Sequence, residues 1–188
     1  MQNNNNWINR HDLDNKKNKI RKNIYEWLVL PSNLTEAIKK TGLNFSLNLV
    51  KQSLNKPSLD EISAFDAYEI DASFSFIRTV FLEGDQTPLI FARVIIPVQT
   101  YLSYYDKFSN LNNRAIGNTI LYADKQIFRK DFEYKLIKNT DSLFQELQAL
   151  HQLSKEDTYW ARRSIFVLPK GPLLITELFL TAIPNYPL

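Results

Sequence analysis

The chain has 188 residues, 44% of them hydrophobic, which is enough for one globular domain with a sizeable core. It has no cysteine, so disulfides and thiolate metal sites are excluded. The formal net charge is only +3, and no aromatic platform, zinc-finger spacing or helix-turn-helix pattern accompanies the basic run at 16–22, so we expect no nucleic-acid partner.

The first part of the chain predicts a leader and two short helices. Residues 1–21 are Asn-rich and charged, which predicts a flexible leader ahead of a single domain at 22–188. The first helix is predicted at 22–30, before a proline that cannot continue it. The second is capped by Ser32 or Asn33 and ends at a glycine.

Strict alternation of apolar and polar residues predicts half-buried strands at 45–53 and at 128–137. In the first of them the pattern places Gln52 on the polar side. In the second it places Arg129 on the polar side and Phe132 on the apolar side. Between these strands, residues 54–72 predict a loop or an irregular helix.

Two hairpins and two helical stretches complete the pattern. The hairpins are predicted from the strands 73–83 with 88–96, and 161–168 with 172–180. Helical spacing covers 99–122 and 141–153. Six strands, most of them joined by hairpins or short helical segments, predict an α+β fold in which helices cover a largely antiparallel sheet.

No apolar run is suited to a membrane or a signal peptide. The longest, at 88–98, is interrupted by Arg93 and is too short to span a bilayer. We therefore expect no stable membrane insertion and a cytoplasmic protein.

Two charged residues stand on faces of strands that are otherwise apolar. Glu177 shares its face with Ile175 and Phe179, and Arg78 shares its face with Phe76 and Val80. An ionised group on such a face costs several kcal/mol or so unless an opposite charge or hydrogen-bonding groups meet it. The pattern predicts a buried polar site that binds a small planar anion, since arginine grips a carboxylate with two parallel hydrogen bonds.

Other arginines leave an alternative open. Glu177 could pair with one of the candidate arginines only to satisfy its own charge inside the sheet; the candidates are Arg78, Arg93, Arg162 and Arg163. Arg93 alternates with apolar neighbours and is expected to face inward. Arg162 and Arg163 are adjacent, so at most one of them points into any one site, and a structural role is the better interpretation of the pair.

Motifs for cofactors and metals are missing from the sequence. There are two histidines, His11 and His151, and neither has a second ligand at helical spacing. No phosphate-binding glycine loop or nucleophile elbow occurs. Chemistry without a metal or a cofactor, or binding alone, is what we expect.

Four blocks of the sequence resemble the chorismate pyruvate-lyase family, in unbroken order from about 27 to 184. The blocks are Trp-Leu-Val-Leu at 27–30 with Ser-Asn-Leu-Thr at 32–35, Ile-Arg-Thr-Val-Phe-Leu at 77–82 with Phe-Ala-Arg-Val-Ile-Ile-Pro-Val at 91–98, Ile-Gly at 116–117, and Trp-Ala-Arg-Arg-Ser at 160–164 with Pro-Leu-Leu-Ile-Thr-Glu-Leu-Phe-Leu at 172–180. The leader and the segment 138–158 depart from the family pattern.

The resemblance implies a six-stranded antiparallel sheet and an internal ligand site under two helical flaps, at 22–41 and 99–122. It implies conversion of chorismate to 4-hydroxybenzoate and pyruvate, the first step of ubiquinone biosynthesis, without metal or cofactor. It also implies that a small molecule is the partner, and we expect a monomer.

The family motif carries roles to four positions. Arg78 stands where the family binds the ring carboxylate, and Glu177 where it has a glutamate at the hydroxyl end, so both are candidate catalytic residues. Leu34 is expected to form an apolar wall and Ile116 to contact the ligand through its backbone.

A second function remains open, because the same fold serves as the effector-binding domain of bacterial transcription regulators. Such a regulator needs a DNA-binding domain ahead of this one, and some 21 residues are too few for a winged helix. A structural domain with an internal salt bridge is the third interpretation.

Overall fold

The fold is built on one antiparallel sheet, seen in a computed structural model that describes residues 6–31, 33–122, 125–151, 153 and 158–187. Its strands are β1 (Phe45–Asn55), β2 (Ser75–Gly84), β3 (Thr87–Pro97), β4 (Phe128–Arg129), β5 (Glu133–Ile137), β6 (Tyr159–Leu168) and β7 (Gly171–Phe179). They lie in the order β1-β2-β3-β7-β6-β4, and β5 also pairs with β6. The expected α+β architecture with an antiparallel sheet is confirmed.

The sheet has seven strands rather than the expected six, because the strand predicted at 128–137 is interrupted. Arg129 lies opposite Phe166, whereas Glu133 lies opposite Arg163, so residues 130–132 face only two residues of β6. This is the pattern of a β-bulge, in which one extra residue interrupts the ladder and bends the strand. The Ser164 hydroxyl donates to the Lys130 carbonyl at 2.5 Å across the interruption.

In the part of the chain that the structure describes, seven short α-helices cover the two faces of the sheet. They are α1 (Arg10–Asp14), α2 (Lys22–Leu28), α3 (Leu34–Lys40), α4 (Leu59–Ile62), α5 (Val98–Ser103), α6 (Tyr105–Ser109) and α7 (Ser142–Leu150). Asn33 caps α3 by accepting a hydrogen bond from the Thr35 backbone, which selects one of the two predicted caps, while Ser32 lies outside the described residues. Short 3-10 turns occur at Lys17–Lys19 and Ser63–Phe65, and a π-helical turn at Gly117–Leu121.

The side chains of each strand divide between two layers. On one face, which we call the cavity face, Val80, Ala92 and Phe179 pack against α2 and α3, and Val94 and Phe166 pack against α5 and the segment that follows it. On the other, which we call the opposite face, the sheet packs against α7 and the 59–72 segment. We call α2 with α3 the first flap, and residues 98–122 the second flap.

The structure differs from the predicted flexible leader. Residues 7–20 lie against the domain: Ile8 forms a bridge with Tyr134, the Trp7 indole donates to Asp60, and Leu13 is fully buried. Only a few apolar residues among many polar ones make these contacts, so average composition does not reveal them. Residues 1–5 lie outside the described part of the chain.

Candidate functional site

A cavity lies between the cavity face of the sheet and the two flaps. Its volume is about 720 Å³, counting the space at its opening, and side chains from β2, β3, β6 and β7 form its floor. All four predicted site residues line it: Leu34, Arg78, Ile116 and Glu177. Residues far apart in sequence therefore meet in one enclosed space that combines apolar walls with a few charged groups, which is the usual composition of a small-molecule site.

Arg78 lies at the β2 side of the cavity and is buried. Its Nη1 donates to the Gln52 side chain at 2.6 Å, and its Nη2 donates to the backbone carbonyls of Asn112 at 2.5 Å and Arg114 at 3.2 Å. All of these acceptors are neutral, and the ion pairs of the described residues do not include Arg78. Burial lowers the pKa of Arg78, but a guanidinium stays protonated in proteins. An uncompensated positive charge therefore faces the cavity.

Glu177 lies further along the floor, paired with a buried arginine. It stands opposite Ala92 on β3 and opposite Arg162 on β6, and Arg162 Nε donates to its Oε2 at 2.6 Å. The Glu177 side chain is 17% exposed to solvent, whereas the Arg162 side chain is 2% exposed. Glu177 thus forms the arginine pair that was left open as an alternative, and the pair itself lines the cavity.

Arg162 also binds the end of the first flap. Its Nη1 donates to the carbonyls of Trp27, Leu28 and Leu30 at 3.2, 3.3 and 2.6 Å. Trp27 and Leu28 end helix α2, and Leu30 follows it, so the guanidinium lies at the helix C-terminus, where a cation is favoured. One guanidinium therefore holds both the Glu177 carboxylate and the chain just before Pro31.

The flaps supply the apolar wall and approach each other over the cavity. Leu34 from the first flap is buried and Ile116 from the second is half-buried. A Cβ built on Gly117 would lie 3.1 Å from Tyr122 Cε2 and 3.6 Å from Asn33 Nδ2. Glycine at 117 thus leaves room for the Tyr122 ring within the second flap, while an added Cβ would meet Asn33, the cap of α3, at ordinary van der Waals distance.

The sequence pattern missed two polar residues that reach this face. Gln52 was expected on the polar side of β1, but a register shift between Leu49 and Lys51 turns it towards Arg78. Arg129 was expected on the side away from Phe132, but the bulge at 130–132 brings both residues to the cavity. No local signal in the sequence marks either bulge.

Arg93 and Arg163 face inward, but into the opposite layer. Arg93 Nε contacts Glu61 Oε1 at 2.5 Å, and its Nη1 contacts Glu146. Arg163 Nε contacts Glu133 Oε2 at 2.8 Å. Arg93 is therefore buried as expected but does not meet Glu177, because it lies opposite Thr79 and Thr176, on the face of the sheet away from the cavity.

The described residues contain no group of three histidine, cysteine or acidic side chains that could hold a metal ion. Nor do they contain a helix long and apolar enough to cross a membrane.

Comparison with known proteins assigns the family. A sequence model described as chorismate lyase matches residues 1–185 of the chain. The chain belongs to the chorismate lyase family. Its relatives include proteins named probable chorismate pyruvate-lyase from Nitrosomonas eutropha and Aromatoleum aromaticum, each 31% identical over 162 residues. These matches cover 86% of this chain, and 88% and 86% of the two relatives.

Solved structures of transcription regulators share the fold. The effector domain of PhnF from Mycobacterium smegmatis superimposes with a TM-score of 0.52 at 15% identity, covering 79% of this chain and 88% of that domain. A possible transcriptional regulator, YydK from Bacillus subtilis, superimposes with a TM-score of 0.56 at 13% identity, covering 90% of this chain and 68% of the regulator. At these identities the likeness shows the fold alone.

Proposed function

We propose that this member of the chorismate lyase family converts chorismate to 4-hydroxybenzoate and pyruvate, and that the product enters ubiquinone biosynthesis. The observation that carries the proposal is the meeting of Arg78 and Glu177 in one lidded cavity. Family membership supports it, as do the names of relatives that match over most of their length.

The reaction is redox-neutral. The bond between the ring and the ether oxygen breaks, and the enolpyruvyl group leaves with its electron pair. The neighbouring ring carbon, which carries the hydroxyl group, loses its hydrogen as a proton, and that C–H electron pair completes the aromatic ring. Protonation of the departing enolpyruvate gives pyruvate. Because no oxidant or reductant enters this balance, the protein needs only to orient the substrate, stabilise its charges and assist proton transfer.

Arg78 is suited to hold the ring carboxylate. Its Nη atoms are bound to neutral acceptors, and its Nε donates to no residue that the structure describes. A buried guanidinium without an anionic partner attracts a carboxylate strongly in the low local dielectric of a closed cavity. Because Arg78 also binds two carbonyls of the second flap, ligand binding and closure of that flap involve the same side chain.

Glu177 is suited to assist the proton transfer at the other end of the ring. Its Oε2 accepts from Arg162, while the carboxylate keeps an exposed fraction that faces the cavity. A carboxylate fixed in one orientation can accept or return a proton with little reorganisation during the reaction.

The test is direct. Purified protein is incubated with chorismate, 4-hydroxybenzoate is followed by its absorbance, and pyruvate is measured by a coupled dehydrogenase. We expect the two products in equal amounts and at a rate proportional to enzyme concentration. Tight binding of a small aromatic acid with no pyruvate formed would instead favour an effector-binding domain, the function of the structurally similar regulator domains.

A further inference from the structure

The cavity lining carries more positive charge than one aromatic carboxylate requires. Three arginines and one glutamate are its charged members, Arg78, Arg129, Arg162 and Glu177, so that with Glu177 ionised the lining has a formal net charge of +2. Chorismate is a dianion with a carboxylate on the ring and another on the enolpyruvyl side chain. The product 4-hydroxybenzoate keeps only the first of these.

The three arginines differ in their partners. Arg162 is neutralised by Glu177. Arg78 and Arg129 occur in no ion pair formed among the residues that the structure describes. Arg129 Nη1 donates to the Pro31 carbonyl at 3.3 Å, and its guanidinium carbon lies 4.0 Å from the centre of the Phe132 ring. An aromatic ring holds the face of a guanidinium and leaves the N–H groups at its edge available for an anion.

Arg129 belongs to the Glu177 end of the cavity. The Tyr122 hydroxyl lies near three charged groups at this end. Partial burial and the Glu177 carboxylate raise the pKa of Tyr122, whereas Arg129 and Arg162 lower it. Arg129 is thus close to the region where Glu177 would meet the ring hydroxyl and the ether oxygen. The side chain that leaves the ring there carries the second carboxylate of the substrate.

The bulge in the strand is what delivers Arg129 to the cavity. With uninterrupted pairing from β5 through β4, Arg129 would lie on the same face as Glu133 and Lys135, away from the ligand. The extra residue at 130–132 reverses that parity and places Arg129 beside Phe132. Bulges are frequent beside binding sites because they redirect single side chains in this way.

We propose that Arg129 binds the enolpyruvyl carboxylate and so distinguishes the dianionic substrate from the monoanionic aromatic product. The proposal rests on the proposed function and extends it to a second anion subsite. Arg78 and Arg129 then hold the two carboxylates at separate points, which fixes the ether bond relative to Glu177. After the ether bond breaks, Arg129 retains no hold on 4-hydroxybenzoate.

The experiment compares substrate and product in matched variants. In Arg129→Gln we expect the KM for chorismate to rise about tenfold, and kcat and the Kd of 4-hydroxybenzoate to stay within about twofold, since a half-exposed charged contact contributes on the order of one tenfold step. Arg129→Lys should recover part of the loss, because it restores the charge without the planar fork. The control Lys130→Gln removes the same charge from the next, exposed residue and should leave all three constants unchanged.

Two results would overturn the proposal: an unchanged KM in Arg129→Gln, or a Kd of 4-hydroxybenzoate that rises as much as the KM. The wild-type assay separates these outcomes from failure of the proposed function. If the wild-type protein forms no product, the lyase assignment fails, and the Kd of chorismate measured by calorimetry replaces KM in the same comparison. Weaker chorismate binding with unaltered 4-hydroxybenzoate binding in Arg129→Gln would still support the second subsite.

Discussion

The two faces of the sheet use buried arginines in different ways. On the opposite face, Arg93 contacts Glu61 and Glu146, and Arg163 contacts Glu133. On the cavity face, Arg78 is held by the Gln52 amide oxygen and backbone carbonyls. The first arrangement balances its charges internally, while the second keeps a positive charge that only a ligand can balance.

The contrast shows how burial and function can be separated. A buried arginine by itself suggests either a structural ion pair or an anion site, and its partners decide between the two. Neutral acceptors orient the guanidinium without cancelling its charge. Four variants test this distinction, in order of decreasing effect.

The largest effect is expected from Glu177→Gln. The amide keeps the size of the side chain and an oxygen for Arg162 but cannot take up a proton, so kcat should fall by about 10²- to 10⁴-fold, as is typical when a general acid or base is lost. The Kd of 4-hydroxybenzoate should change much less. Steady-state kinetics and titration of the product measure the two quantities.

Glu133→Gln is the matched control on the opposite face, where Glu133 pairs with Arg163. It should leave kcat unchanged. Equal turnover in Glu177→Gln and the wild type would remove Glu177 from the chemistry.

Arg78→Met should weaken 4-hydroxybenzoate binding by roughly 30-fold or more, because removal of one partner of a buried charge-assisted contact costs about 2–5 kcal/mol. Titration of the folded variant measures the effect, and circular dichroism checks that the fold is retained. Arg78→Lys should give an intermediate affinity, since it keeps the charge and loses the fork. A folded Arg78→Met protein that binds the product as the wild type does would contradict the anchoring role.

Arg93→Met should act on stability instead of binding. It leaves Glu61 without its cation and Glu146 with Lys51 alone, and breaking a buried pair costs about 3–5 kcal/mol. For a chain of this size each kcal/mol lowers the melting temperature by about 2–4 °C. The Kd of 4-hydroxybenzoate should stay within about twofold below the transition.

A second substitution, at an acidic partner of Arg93, tests whether the unpaired carboxylate causes the loss of stability. Adding Glu61→Gln to Arg93→Met should recover much of the lost stability, because a neutral amide replaces the carboxylate that has lost its cation. If Arg93→Met weakened product binding as much as Arg78→Met does, the division between the two faces would not hold.

The smallest effect is expected from Gly117→Ala. The new methyl group lies 3.1 Å from Tyr122 Cε2, so the Tyr122 ring, which lines the cavity, must shift within the second flap, and the product should bind about a few-fold more weakly. Stopped-flow measurement of product release should show faster escape, since a lid often limits the rate of this step. Gly42→Ala, which strains a backbone φ of 84° at a site with nothing within 4 Å, should reduce stability without changing release.

The regular parts of the fold follow from the sequence. Alternation within β2 and β7 correctly assigns Arg78 and Glu177 to apolar faces, because the stretches of β2 and β7 around these residues pair with β3 in continuous register and keep a period of two. Proline and glycine mark the helix ends and the hairpins for equally local reasons. The shared cavity cannot be predicted locally, since no local pattern says that two strands as far apart in sequence as β2 and β7 line one surface. The family resemblance supplied that expectation.

The residues that the alternation pattern assigned to the wrong face of the sheet are separated from the regular part of their strand by a β-bulge. Gln52 and Arg129 each lie past an extra residue that reverses the alternation, and bulges have no strong residue signature. The pattern alone could not tell whether Arg162 or Arg163 faces the cavity. Adjacent residues on a strand point to opposite faces, and here both faces receive an arginine. Only the pairing register decides which of them meets Glu177.

Arg162 has a consequence for repeated turnover. It is bound at once to the Leu30 carbonyl and to the Glu177 carboxylate, and it is almost completely shielded from water. If α3 swings about the chain that follows Leu30, the end of α2 and the Glu177 carboxylate remain fixed to one rigid group. The Glu177 carboxylate then keeps its orientation while the flap opens for substrate entry and product release. A mobile flap and a fixed carboxylate are thus combined in one small domain.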